Sequence, residues 1–191
     1  ALEKAGYPNV PVISINLSGL ESNPGFKLTP SLIQHGLYAL EFGDIFLRCL
    51  YRTRPYEAVK GSANALHEKW KKEVISFITQ DKLLSHRKFK QMCRQIIRDF
   101  DNLDRVDVKK PRVGVVGEIL VKFHPAANND LVGLLESEGA EAVVPDLTDF
   151  LLYCFYNTNF KAEHLGMKKS TARMGNLGIK ALEWFRKPAV D

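Results

Sequence analysis

Two short apolar stretches, Arg112-Val-Gly-Val-Val-Gly117 and Glu141-Ala-Val-Val-Pro145, decide the fold that the sequence predicts. Each is rich in valine and ends at a glycine or a proline, which is typical of a short buried strand. Residues 128–138, between the two stretches, predict a helix that ends at Gly139. Because two parallel strands need a crossover connection, this order of elements predicts a right-handed βαβ unit.

The elements on either side extend this unit into a larger sheet. Residues 146–156 predict a helix capped by Asp146 or Thr148, and residues 170–185 predict a last helix. Near the start of the chain, Val10-Pro-Val-Ile-Ser-Ile-Asn-Leu17 predicts a further buried strand. Together these elements predict a three-layer α/β fold with a mainly parallel sheet and βαβ units.

A helical insertion into this fold is predicted at about residues 29–103. Thr29-Pro30 supplies a helix cap and a first-turn proline, and Pro55 closes the long helix that follows. Two amphipathic helices come next, at residues 62–79 and 85–101. We expect all 191 residues to form one α/β domain fragment of a larger protein.

The composition excludes several classes of protein. With 45% hydrophobic and 26% charged residues, the chain is typical of a folded globular protein. No apolar run approaches the roughly 18 residues of a membrane helix, and no signal pattern is present, so we expect a cytoplasmic protein without a membrane partner. The net charge of +5 is mild. Since aromatic residues do not alternate with the basic ones, we expect solvated helix faces and no nucleic-acid partner.

The residue types that most often carry chemistry are not grouped in this sequence. Cys49, Cys93 and Cys154 are far apart and form no CxxC pair, which predicts reduced thiols and no metal site. Phosphate-binding loops of the Walker type and nucleophile-elbow motifs are also absent from the sequence. The sequence therefore assigns no catalytic residue, and we expect no cofactor in this fragment.

The loop at residues 117–129 carries most of the candidate binding residues. It follows the first strand of the βαβ unit, at the edge where open parallel sheets bind ligands. A carboxylate, two groups that supply positive charge or proton transfer, and free N–H groups at a helix start would meet there. An equally open alternative is a loop that only caps its helix. The candidates are Glu118, Lys122, His124, Asn128 and Asn129.

Two further candidates come from other parts of the chain. Asn16 follows the predicted strand at residues 10–17 and would lie at the same sheet edge. Arg54 belongs to Arg52-Thr-Arg-Pro-Tyr-Glu57, which combines two cations, an aromatic ring and an acid. This stretch predicts either an anion clamp or a helix C-terminus whose arginines complement the dipole. Both alternatives remain open at this point.

Several stretches carry a family resemblance. They are Val12-Ile-Ser-Ile-Asn-Leu17 with Gly19-Leu-Glu-Ser-Asn-Pro-Gly-Phe26, Arg52-Thr-Arg-Pro-Tyr-Glu57, Gly114-Val-Val-Gly-Glu-Ile-Leu-Val-Lys-Phe-His-Pro-Ala-Ala-Asn-Asn129 and Pro145-Asp-Leu-Thr-Asp-Phe-Leu-Leu-Tyr-Cys-Phe-Tyr-Asn157. The chain resembles the activator-related proteins of the 2-hydroxyglutaryl-CoA dehydratase system of anaerobes, the CoA-substrate-specific enzyme activases. Those proteins join ATPase activase-like modules to a dehydratase-like region, and this chain resembles an internal piece of that region.

The resemblance implies a role in the ATP-dependent activation of 2-hydroxyacyl-CoA dehydration in anaerobic metabolism. It implies ATP and an iron–sulfur cluster for the full-length system, with activase modules of the same or another chain as partners. Two alternatives follow for this fragment, which we expect to have no activity alone. It is either a dehydratase-like domain that binds a partner or part of an acyl-CoA, or a non-catalytic scaffold domain of a multidomain activase-related protein.

Overall fold

The computed structural model describes residues 3–6, 29–80, 82–166 and 168–190. The strand predicted at residues 10–17, and with it the candidate Asn16, lies outside these ranges. The described residues form seven α-helices and two β-strands. In chain order these are α1 (Pro30–Thr53), α2 (Ser62–Ile78), α3 (His86–Asp101), β1 (Arg112–Gly114), α4 (Ile119–Phe123), α5 (Leu131–Ser137), β2 (Glu141–Val143), α6 (Leu147–His164) and α7 (Lys169–Val190).

The prediction of a three-layer α/β fold with a mainly parallel sheet is wrong, because the described chain is mostly helical. Its sheet has two strands of three residues each, paired in parallel with Arg112 opposite Glu141 and Gly114 opposite Val143. The strand–helix–strand order of the predicted βαβ unit is present. The α/β dehydratase-like region that the resemblance implied is therefore not what the described residues form.

The reason lies in what the two strands bury. All three residues of β1 are exposed, whereas the strands of a multi-stranded parallel sheet are covered on both faces. The sequence pattern of β1, a short valine-rich run, does not distinguish a central strand from a short exposed one. Most of the buried apolar side chains belong instead to helices.

The segment predicted as an insertion contains the main core of the molecule. Helices α1, α2 and α3 pack together around aromatic side chains, and Tyr38 stacks on Phe89 with ring centroids 4.1 Å apart. The N-terminal cap of α1 confirms its predicted start, since the hydroxyl of Thr29 accepts a hydrogen bond from the N–H of Leu32. The core side chains are Tyr38, Phe42, Ile45, Phe46, Leu50, Ala63, Trp70, Val74, Phe77, Leu84, Phe89, Met92, Cys93, Ile96 and Phe100.

Helices α6 and α7 form a closely packed pair. A Cβ atom at Gly178 would lie 2.7 Å from the ring of Phe155, and one at Gly175 would lie 2.7 Å from the side-chain oxygen of Asn159. The two glycines therefore let the helix axes approach each other. This packing also explains why α6 continues to His164, well beyond its predicted end at residue 156.

The βαβ unit packs against the C-terminal half of α1. Val115, Val132 and Ala142 form a second, small buried cluster, and Tyr51 of α1 packs against it. The side chain of Tyr56, just after α1, donates a hydrogen bond to Glu141 at 2.8 Å. The βαβ unit thus packs on the outside of the helical body, and the carboxyl end of β2 faces α1.

Candidate functional site

The loop at residues 117–129 folds into α4 and a further helical turn at residues 125–127. Glu118 is the N-cap of α4, and its carboxylate accepts a hydrogen bond from the N–H of Val121 at 3.1 Å. The carboxylate that the sequence offers for ligand binding therefore satisfies a backbone donor of its own helix.

Lys122 and His124 differ in their surroundings. The Lys122 ammonium lies 4.5 Å from the centroid of the Phe123 ring, a cation–π contact within α4. His124 is exposed, and its backbone accepts bonds from the turn that follows. Lys122 thus belongs to the short helix α4, and His124 follows at its C-terminal end.

Asn128 holds the loop together. Its side-chain amide donates to the carbonyl of Val121 at 2.8 Å, and its side-chain oxygen accepts from the N–H of Leu131 at 3.1 Å. The neighbouring Asn129 is exposed and has a φ of 55°, in the left-handed region that asparagine tolerates. Glu118 and Asn128 therefore act as expected in the alternative in which the loop only caps its helix.

Arg54, at the C-terminal end of α1, binds a residue of α5 and not the candidate residues of the 117–129 loop. Its guanidinium donates to both carboxylate oxygens of Glu136, at 2.7 and 2.9 Å, and to the side chain of Asn64 at 3.3 Å. Within the described residues, no hydrogen bond connects Arg54 to the 117–129 loop. Because its planar donor fork is occupied by Glu136, the anion-clamp alternative is not the one observed here.

A largely buried polar cluster, not foreseen from the sequence, lies where α1 meets the start of α6. We call it the α1–α6 junction, and it comprises Glu41, Asp44, Arg48, Asp146 and Thr148. Arg48 forms an ion pair with Asp146 across the two helices. The signal in the sequence was the pair of carboxylates at positions 41 and 44, inside the apolar face of α1, where only partnered charges are usually buried.

Asp44 caps α6 from another helix. Its two carboxylate oxygens accept hydrogen bonds from the N–H groups of Leu147 and Thr148, each at 2.8 Å. The predicted caps, Asp146 and Thr148, do not perform this role with their side chains. A carboxylate at a helix N-terminus satisfies free N–H groups and is stabilised by the helix dipole. The α1–α6 junction therefore has a structural function.

Glu41 is the most deeply buried carboxyl group of the junction, with 2% of the residue exposed. It accepts a hydrogen bond from the hydroxyl of Thr148 at 3.2 Å. Burial, with a further contribution from the charge of Asp44, raises the pKa of Glu41 to about 7. Burial also raises the pKa of Asp146, against the opposing effect of Arg48.

Two cavities border the α1–α6 junction. The smaller has a volume of about 30 Å³ and lies among Glu41, Arg48 and Arg186, with room for one water molecule. The larger, of about 200 Å³, opens at the carboxyl end of β2 beside Arg52 and Asp149. Pockets for drug-sized ligands have about 300–1,000 Å³. Glu41 thus has the pKa of a general acid or base, but the cavity beside it does not admit an organic substrate.

A shallow groove of about 500 Å³ lies between α2 and α3, on a different side of the core. Trp70, Phe77 and Met92 form its floor, and Lys72 and Lys88 lie at its rim with other polar side chains. None of the sequence-predicted binding residues that the structure describes lines this groove.

The thiol and metal chemistry of the described residues is limited. Burial raises the pKa of both Cys49 and Cys93 to about 12, so these thiols are not nucleophilic near neutral pH. Cys154 is an exposed free thiol. Among the residues that the structure describes, no group of three or more His, Cys, Asp or Glu side chains is arranged to hold a metal ion.

Comparisons with protein-family models, curated proteins and solved structures find no match to this chain. In the described ranges, none of the helices combines the length and the apolar character needed to cross a bilayer.

Proposed function

We propose that this chain is a non-catalytic docking domain of a larger, activase-related protein. In this role it holds activase modules, of the same or another chain, near the site of 2-hydroxyacyl-CoA dehydration. ATP and the iron–sulfur cluster belong to those modules in this proposal, and the chain itself binds neither. The proposed compartment is the cytoplasm, where free thiols such as Cys49, Cys93 and Cys154 stay reduced.

One observation carries the proposal: polar groups that the sequence offers for ligand binding are used to hold the structure together. Glu118 caps α4, Asn128 braces its own loop, and Arg54 binds Glu136. A ligand would have to displace these contacts. The backbone partners of Glu118 and Asn128, and the carboxylate of Glu136, would then lose their hydrogen bonds. This arrangement favours a scaffold over a site for part of an acyl-CoA.

The test compares two kinds of binding partner. The purified chain is titrated calorimetrically with a 2-hydroxyacyl-CoA ester, and it is separately immobilised and exposed to purified activase modules. We expect binding of the modules and no saturable heat with the ester. The matched control is the double variant Lys122→Ala, His124→Ala, which removes both cations of the loop. Saturable ester binding that disappears in this variant would instead establish an acyl-CoA site and overturn the proposal.

A further inference from the structure

A continuous apolar stripe lies on the solvent side of α7. We call it the α7 seam, and it comprises Met174, Leu177, Ala181 and Trp184. Met174 is 74% exposed, Leu177 71% and Trp184 53%, and Ala181 is also exposed. The spacing of three, four and three residues is that of the a and d positions of a heptad repeat. A helix with this spacing is suited to pack against another helix.

The α7 seam has a fixed orientation. The neighbouring face of α7 packs against α6 at Gly175 and Gly178, and Leu182 on that face is buried. At the C-terminal end, the indole of Trp184 stacks on the ring of His86 with centroids 4.2 Å apart. Rotation of α7 to bury the seam would break these contacts, so the stripe stays accessible to a partner.

Basic side chains flank one edge of the α7 seam. Arg173 and Lys180 are exposed and lie seven residues apart, so they occupy the same heptad position, and Lys187 continues the spacing. Within the described residues, neither Arg173 nor Lys180 forms an ion pair with a carboxylate. Charges at such flanking positions select the partner helix in coiled coils.

We propose that the α7 seam docks an amphipathic helix of a partner protein whose apolar stripe is flanked by Asp or Glu. Arg173 and Lys180 would pair with these acids and select for them. The apolar side chains of the α7 seam would pack against the apolar stripe of the partner helix. The inference rests on the proposed docking function and names the surface and the chemistry of the partner.

Two other occupants fit the surface less well. In an antiparallel pair of α7 helices from two copies of this chain, the rows containing Arg173 and Lys180 would face each other and repel. A membrane-binding helix usually presents a broad apolar face, whereas the seam has the narrow width of a helix–helix contact.

The test uses two synthetic helical peptides, both with leucine at every a and d position. The acidic peptide has Glu at the flanking positions, and the basic peptide has Lys there. Fluorescence anisotropy measures their binding to the whole chain. We expect the acidic peptide to bind and the basic peptide to fail. Leu177→Glu should weaken binding at least about tenfold, which corresponds to 1.4 kcal/mol. Leu83→Glu, an exposed leucine outside the seam, should leave it unchanged.

A charge-reversal variant makes the test specific. Arg173→Glu combined with Lys180→Glu should lose the acidic peptide and gain the basic one, because the flanking charges then match the opposite sign. Unchanged melting temperatures would show that the exposed substitutions leave the fold intact. Failure of the acidic peptide to bind, or binding that ignores both Leu177→Glu and the charge reversal, would overturn the assignment of the α7 seam.

Further measurements separate this inference from the proposed function and from the other occupants. If activase modules bind the parent chain and its Leu177→Glu variant equally, the docking function stands and the seam assignment fails. If no module binds either, the docking function itself fails. A dimer seen by light scattering, or binding to phosphatidylserine vesicles, that is lost in Leu177→Glu would assign the seam to a second copy or to a membrane instead.

Discussion

Glu41 is a carboxyl group that titrates near neutral pH inside an apolar helix face. Its oxygen accepts from the Thr148 hydroxyl, and Asp44 on the same helix contributes a second acidic group nearby. Because the folded chain holds the Glu41 proton more tightly than the unfolded chain does, folding and protonation are coupled at this residue.

The stability of the protein should therefore depend on the protonation of Glu41. The pKa of Glu41 rises from 4.5 to about 7 on folding, so its contribution to the free energy of unfolding falls as the pH increases between these values. The slope is at most about 1.4 kcal/mol per pH unit. Glu41→Gln removes this loss. The free energy of unfolding of the variant should therefore increase relative to that of the parent from pH 5 to pH 7, and the difference should stay constant at higher pH. Chemical denaturation at each pH measures the difference.

Comparison with the parent at each pH also cancels the contribution of the histidines. Burial lowers the pKa values of His67 and His86, so these residues destabilise the fold as the pH falls below their unfolded value of 6.5. Glu73→Gln, at an exposed position of α2, is the matched control for the loss of a glutamate carboxylate from a helix. A Glu41→Gln difference that does not change with pH would contradict the coupling.

Asp44 should be more important to stability than a typical surface carboxylate. Asp44→Ala removes the acceptor for the N–H groups of Leu147 and Thr148, and we expect a loss of about 2–4 kcal/mol in the free energy of unfolding. Asp44→Asn keeps one side-chain oxygen and should lose less. Equal stability of the alanine variant and the parent in urea denaturation would show that α6 does not need this cap.

At the scale of elements, the pair α6 and α7 depends on a residue without a side chain. Gly178→Ala places a methyl group 2.7 Å from the Phe155 ring, and we expect a cost of about 1–3 kcal/mol despite the better helix propensity of alanine. Gly36→Ala in α1 is the matched control. Its Cβ would meet open space, so it should stabilise the protein by about 0.5–1 kcal/mol. Thermal denaturation of both variants tests the difference, and two shifts of the same sign would contradict it.

The helices of the core were predictable because their signals are local. The cap at Thr29 and the apolar spacing of α2 and α3 lie within the segments themselves. The start of α6 after Asp146 was predictable in the same way, but the side chain that caps it was not, since Asp44 is 103 residues away in the sequence. The prediction of a large parallel sheet failed for a related reason. The length of a strand depends on its neighbours in the sheet, which a valine-rich run does not specify.

In the candidate site, too, local features were predictable from the sequence and the contacts between residues were not. The residues that cap and brace the 117–129 loop were identified as polar groups at its ends, but their partners were not. The pattern of donors and acceptors at Glu118 and Asn128 fits a ligand or the loop's own backbone equally well, and only the folded geometry distinguishes the two. The α1–α6 junction was missed because its members come from distant segments.

At the scale of the whole molecule, the helical body and the βαβ unit are tied together by Arg54 and Glu136. Both side chains are largely buried, at 24% and 14% exposure. Arg54→Ala should cost about 2 kcal/mol and speed hydrogen exchange in α5, while exchange in α2 stays unchanged. Lys71→Ala breaks an exposed ion pair with Glu68 and serves as the control, with an expected loss under about 1 kcal/mol. Uniform acceleration across all helices would contradict this local role.

The capping of α6 by a residue of α1 also has a consequence for the order in which a growing chain folds. As the chain emerges from the ribosome from its N-terminal end, α1 is complete about a hundred residues before the backbone that Asp44 will bind has been made. Until then, Asp44 and Glu41 lack the α6 donors that they bind in the complete fold. Asp44 and Glu41 gain their partners in α6 only when Leu147 and Thr148 have been made, so the α1–α6 junction closes long after the synthesis of α1.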